Sequence, residues 1–179
     1  TIVITVDRFG LFFDRRSPVL YPMILIPQRL FTAPTVRTLV RDGNNCLLHK
    51  QLPEAQIDSE AYVANHVVSL VLSGRQVIRT YEEEVISVGA GEALFLPRGV
   101  YYITDLLPAK GVFSSILFYF DDNTIHRFLS DTEVTEVDRD AAEDHLHFSL
   151  SPTLEAFTAN VLRMSGEQTF TKPLLRIKN

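Results

Sequence analysis

The sequence predicts a mainly β domain, a sandwich or barrel, followed by two or three α-helices. Three observations carry this prediction. From residue 35 to residue 120, strand-like apolar runs recur at intervals of about 8–12 residues, with Gly or Pro between them. After Phe120 the spacing of apolar residues changes from a period of 2 to one of 3.6. The 179 residues are 46% hydrophobic and 22% charged, an ordinary globular composition, with 12 Phe and 6 Tyr to fill a core.

Residues 1–34 are mixed. Thr1 to Val6 alternates weakly and reads as a possible strand, while Pro18, Pro22, Pro27 and Pro34 argue against long helices. The clear pattern starts at residue 35. Thr35 to Arg41 and Cys46 to Gln51 flank Asp42-Gly43-Asn44-Asn45, whose Gly and Asn tolerate the positive φ of a hairpin turn. Leu52 to Ala61 reads as a polar loop. His66 to Ser73 is apolar and β-branched, and Gly74 allows a tight turn. Gln76 to Tyr81, Val85 to Val88, Ala93 to Leu96, Val100 to Leu107 and Val112 to Phe120 follow as strands.

Asp121 or Asp122 can then cap a short helix carrying Ile125, Phe128 and Leu129 on one face. Phe148 and Leu150 suggest a last strand. Ser151-Pro152 supplies an N-cap and a first-turn Pro, and Leu154, Phe157, Val161 and Leu162 form one helical stripe. The end, from Lys172-Pro173, reads as another helix opening without a stop signal, so a fragment of a longer protein is expected. The expected divisions are residues 1–34 as an extension that could add strands, 35–121 as the barrel, and 122–179 as the helical part.

Charge and cysteine usage exclude several functions. The formal net charge is −5, so no domain-wide basic footprint for nucleic acid exists. Residues 131–144 hold seven acids and one base, a net −6, which leaves the rest of the chain at +1. The acidity therefore belongs to one connector. The single Cys46 excludes an internal disulfide and a multi-cysteine zinc site, and fits a reducing cytoplasm. No signal peptide and no apolar run of membrane-spanning length are visible.

Gly91-Glu92-Ala93-Leu94-Phe95-Leu96-Pro97-Arg98-Gly99-Val100-Tyr101-Tyr102 spaces Gly, Pro, Gly and Tyr in a pattern that resembles the second cupin motif. His66-Val67-Val68-Ser69-Leu70-Val71-Leu72-Ser73-Gly74 resembles the first cupin strand pair. Over roughly residues 35–179 the chain is similar to the N-terminal regulatory domain of AraC-type transcription regulators. It is most similar to the ExsA-like activators of type III secretion genes. The resemblance implies a cupin-like jelly roll, self-association through C-terminal helices and, for the ExsA-like members, control by a protein antiactivator rather than an effector molecule. The helix-turn-helix units of that family have no counterpart here and are expected after residue 179.

Catalytic constellations are thin. A metal cupin needs three His and a carboxylate converging in the barrel. Here Tyr102 stands where the second motif has His, and His66 is followed by Val67 and Val68, so no metal and no cofactor is expected. His66 reads as a barrel-mouth residue bonded to the backbone, with a polar contact to a ligand as the alternative. His145 and His147 share a strand face and could grip an ion, but a solvated strand entry is the preferred reading. Cys46 reads as an inert small hydrophobe, and Glu82-Glu83-Glu84 as a solvated hairpin tip.

Two non-enzymatic readings survive. The barrel interior is more simply filled by its own large side chains; if it is hollow, the pocket would be lined by His66, Leu70, Phe95, Tyr102, Phe118 and Phe120, for a small apolar effector. A dimer or partner interface would use Leu154, Phe157, Val161, Leu162, Leu174, Leu175 and Ile177. The function expected is a cytoplasmic sensing and dimerisation module of a transcription activator, homodimeric and with no catalytic residues. A small metal-dependent cupin enzyme is the alternative.

Overall fold

The computed structural model describes residues 23–131 and 146–164. The expectations for Thr1 to Val6, for most of the acidic connector and for the last helix lie outside the described residues. The chain divides into one unit running to Ser149 and another from Leu150.

The first unit is a two-sheet jelly-roll-like sandwich, as the sequence predicts. Its strands are β1 (Ile24–Ile26), β2 (Val36–Asp42), β3 (Asn45–Leu52), β4 (Gln56–Val63), β5 (His66–Ser73), β6 (Arg75–Thr80), β7 (Val85–Gly89), β8 (Glu92–Leu96), β9 (Gly99–Leu106), β10 (Phe113–Phe120) and β11 (Leu146–Ser149). A short 3-10 turn (Leu30–Thr32) links β1 to β2. Helix α1 spans Asp122–Asp131. One sheet has the order β1-β4-β9-β6-β7 and the other β11-β8-β5-β10-β3-β2. Every pairing is antiparallel except β1 with β4.

The core lies between the sheets. Leu48, Val71, Leu94 and Phe113 from one sheet meet Val63, Ile78, Val88 and Tyr101 from the other. Alternation along each strand sends these residues inward and their neighbours outward. The outer face of the six-stranded sheet is not simply solvated. Leu47, Leu70, Ala93 and Ile116 are buried there, beside a buried hydrogen bond of 2.9 Å between His49 Nε2 and Ser114 Oγ.

The turns form where their residues permit them. Gly43 adopts φ +60° in the β2–β3 hairpin and Gly74 adopts φ +87° between β5 and β6. Glu82, Glu83 and Glu84 are exposed at the β6–β7 hairpin. Strand β4 corrects the reading of Leu52 to Ala61 as a loop. Its inward residues Ser59, Ala61 and Val63 are small, and its register shifts between Gln56 and Ser59, where Asp58 takes φ +48°. Cross-strand bonding to β1 and β9 holds what hydrophobicity alone does not announce. Ile24 to Ile26 also joins the sheet, from a region whose pattern was mixed.

Helix α1 is capped by Asp121, not Asp122. The Thr124 N–H donates to Asp121 Oδ1 at 2.8 Å, and the Ile125 N–H donates to the Asp121 carbonyl at 3.2 Å. Phe128 on this helix is 65% exposed. In the second unit, α2 (Pro152–Met164) starts as expected. Ser151 Oγ accepts from the Leu154 N–H at 3.3 Å, and Pro152 occupies the first helical position.

Candidate functional site

A cavity of about 240 Å³ lies between the two sheets. Val67, Ser69, Leu96, Leu117 and Tyr119 line it from the six-stranded sheet, and Ala61, Val63, Gln76, Ile78 and Ile103 from the five-stranded one. The segment from Ile24 to Val36 closes one side, with Leu30 facing the space and Arg29 exposed. Arg41 stacks over the Phe31 ring at 4.0 Å and ties this segment to β2.

One end of the cavity is polar and bridges the sheets. Lys50 Nζ donates to Asp105 Oδ2 at 2.5 Å. Gln76 Nε2 donates to Asp105 Oδ1 at 2.8 Å, and Ser69 Oγ donates to Gln76 Oε1 at 2.9 Å. Asp105 is completely buried, and all four residues are less than a tenth exposed. The hydrogen bonds compensate for lost hydration, without which burying these groups would be costly. Burial, and then Cys46 and Asp105, push the Tyr119 phenol well above its ordinary value, so it remains a neutral O–H. Cys46 is buried, and its thiol is pushed up to about 11 by desolvation, against the opposing effect of Arg41. It is unreactive at neutral pH.

The residues expected to line the pocket lie elsewhere. Leu70 is buried on the outer side of β5. His66 and Phe95 stack on each other at 5.9 Å, and Phe118 stacks on Phe120 at 6.3 Å. By strand alternation these residues belong to the outer face of the six-stranded sheet. Tyr102 lies on the outer face of the other sheet, with the Arg79 guanidinium 4.0 Å from its ring centroid. None of the six lines the cavity. The cavity residues missed by sequence reasoning sit one position away along the same strands.

His66 is not bonded to the backbone. Its Nε2 lies 3.1 Å from Asp122 Oδ1, and Arg98 Nη1 lies 3.1 Å from Asp122 Oδ2. This network ties the start of β5 and the β8–β9 turn to the start of α1. It borders an open, polar depression of about 390 Å³ near Asn44, Asn65 and Asp122. Such walls offer little to an apolar ligand.

Among the described residues no three His, Cys, Asp or Glu side chains converge on a metal position. His145 lies outside the described residues. His147 Nε2 is 3.3 Å from Glu92 Oε2. The Glu92 carboxyl is held below its ordinary value of 4.5, first by the Gly89 N–H and then by His147. A depressed folded value contributes stability above the unfolded value and loses it as pH falls through the folded one. Glu92→Gln is therefore expected to lower the urea midpoint near neutrality and to converge on the native midpoint in strong acid. An equal loss at both pH values would contradict this.

On α2, Leu154 and Val161 are half-buried, Leu162 is buried and Phe157 is 46% exposed. Leu174, Leu175 and Ile177 lie outside the described residues. No described helix is long and apolar enough to cross a membrane.

The family model for the ExsA N-terminal regulatory domain matches residues 66–179. No curated protein matches the chain significantly. Among solved structures, the fold is similar to Vibrio cholerae ToxT with an unsaturated fatty acid bound. That match has a TM-score of 0.52 and 7% identity, and covers 76% of this chain and 61% of that one. ToxT bound to (E)-4-(8-methylnaphthalen-1-yl)but-3-enoic acid matches with a TM-score of 0.51 and 11% identity, covering 76% and 51%. The chain thus spans less than two thirds of the length of these ToxT structures.

Proposed function

The chain belongs to the family of ExsA N-terminal regulatory domains, the regulatory part of AraC-type transcription activators, and from this premise we propose that it is a dimerisation and sensing module. The sandwich is the sensing part, and the second unit, from Leu150, is the assembly part. The cavity between the sheets is the observation that carries the sensing role. Its walls are mostly apolar and its few polar groups can orient a ligand, which is the usual division of labour in a small-molecule site. The likeness in fold to ToxT structures holding a fatty acid or a naphthalenyl butenoic acid supports an apolar effector. A protein partner acting on the outer surface is the other input, in keeping with the family. The module works in the cytoplasm and reaches DNA only through a separate helix-turn-helix domain.

Self-association has a physical purpose in this reading. Joining two DNA-binding units raises the effective concentration of the second at its half-site, so control of pairing is control of affinity. Phe157 is the residue of the α2 stripe with the most apolar surface to offer. The native chain is expected to sediment as a dimer at tens of micromolar, and Phe157→Asp as a monomer with an unchanged circular dichroism spectrum. A native monomer, or a Phe157→Asp dimer of native affinity, would contradict assembly through this helix.

A further inference from the structure

We infer that the cavity selects an uncharged ligand, a small apolar body carrying one hydrogen-bond-accepting oxygen such as a ketone, ester or alcohol, and discriminates against carboxylates. This inference rests on the cavity being the effector site. The reason lies in the polar end. Its single cation, Lys50, already has a buried anion, Asp105, in direct contact. Both Asp105 oxygens are engaged, one by Lys50 and one by Gln76. A carboxylate placed there would add a second negative charge beside Asp105 in a water-poor space, where like charges repel strongly.

What Lys50 and Gln76, which line the cavity, have left to give is N–H donors. An ammonium has three donors, and one of those on Lys50 is used by Asp105. A side-chain amide has two, and one of those on Gln76 is used. A neutral acceptor oxygen answers these groups and leaves the ion pair intact. An anionic head group would instead have to stay at the exposed Arg29, leaving the donors at the inner end unmet.

Size narrows the class further. At roughly 30 Å³ per non-hydrogen atom, the share water takes in its liquid, the cavity of about 240 Å³ holds about eight such atoms. The probes are 2-octanone and octanoate, slightly larger than that count, equal in carbon number and different in charge. Calorimetric titration of the full chain at neutral pH is expected to show 2-octanone binding at least tenfold more tightly than octanoate. Asp105→Asn leaves Lys50 without its anion, and is expected to raise octanoate affinity at least tenfold relative to 2-octanone. Octanoate binding the native chain as tightly as 2-octanone, or an unaltered preference in folded Asp105→Asn, would overturn charge discrimination while leaving the cavity as an effector site. Absence of binding by both probes would overturn the effector site itself and this inference with it. The comparison on the native chain decides the question even if Asp105→Asn does not fold.

Discussion

Asp105→Ala is expected to destabilise the protein by about 3–5 kcal/mol, read as a fall in the urea midpoint with an unchanged slope. The size follows from what the substitution leaves behind. Lys50, itself only 7% exposed, would be left in the interior with its counter-ion gone, and Gln76 would lose its acceptor. The cost is thus mainly that of an uncompensated buried charge, not of one missing hydrogen bond. A second variant separates these contributions. Lys50→Met combined with Asp105→Leu removes both charges and is expected to recover most of the loss, since apolar residues of similar volume often replace a buried ion pair without penalty. If the double variant were as unstable as Asp105→Ala, the loss would belong to packing and not to charge.

The next largest effect is expected at Gly74. A Cβ there would lie 2.4 Å from the Leu106 carbonyl oxygen and 3.0 Å from the Phe113 ring, on a backbone with φ +87°. The carbonyl cannot easily withdraw, because Leu106 is paired with Arg75 at the edge of the β6–β9 ladder. Left-handed strain costs about 1–3 kcal/mol for a non-Gly residue, and the clash adds to it. Gly74→Ala is expected to lose about 3 kcal/mol in chemical denaturation. Gly43→Ala provides the comparison. It has a similar φ of +60° but nothing within 4 Å of the added Cβ, so it should lose about 1 kcal/mol. Equal losses at the two sites would mean that strain alone, without the contact to Leu106, sets the cost.

Most of the sandwich was legible because its strands from β5 to β10 are rich in apolar and β-branched residues and, except between β6 and β7, are separated by Gly or Pro. Strand β4 was not, because its sequence, Gln-Ile-Asp-Ser-Glu-Ala-Tyr-Val, is polar and bulged, and its pairing partners supply the order. The cavity was legible only to within a strand phase. His66, Leu70, Phe95, Tyr102, Phe118 and Phe120 are each adjacent in sequence to a true lining residue: Val67, Ser69, Leu96, Ile103, Leu117 and Tyr119 respectively. A side-chain period of 2 makes a one-residue error in phase equivalent to choosing the opposite face. The sheet carries apolar residues on both faces, so hydrophobicity gave no way to choose. A signal was nevertheless present. Lys50, Ser69, Gln76 and Asp105 each stand two positions from an inward apolar residue of the same strand, Leu48, Val71, Ile78 and Ile103, and a buried polar set calls for mutual partners. Taken together, they mark the inward face.

The proposed sensing role requires that a ligand enter the space between the sheets of this regulatory domain. Titrating the isotope-labelled protein with 2-octanone while recording methyl and amide NMR spectra tests it most directly. Saturable shifts are expected, concentrated at Val67, Ser69, Ile78, Ile103 and Leu117. Shifts confined to the outer-face residues Phe95, Phe118 and Phe120, or no saturable shifts at all, would contradict it.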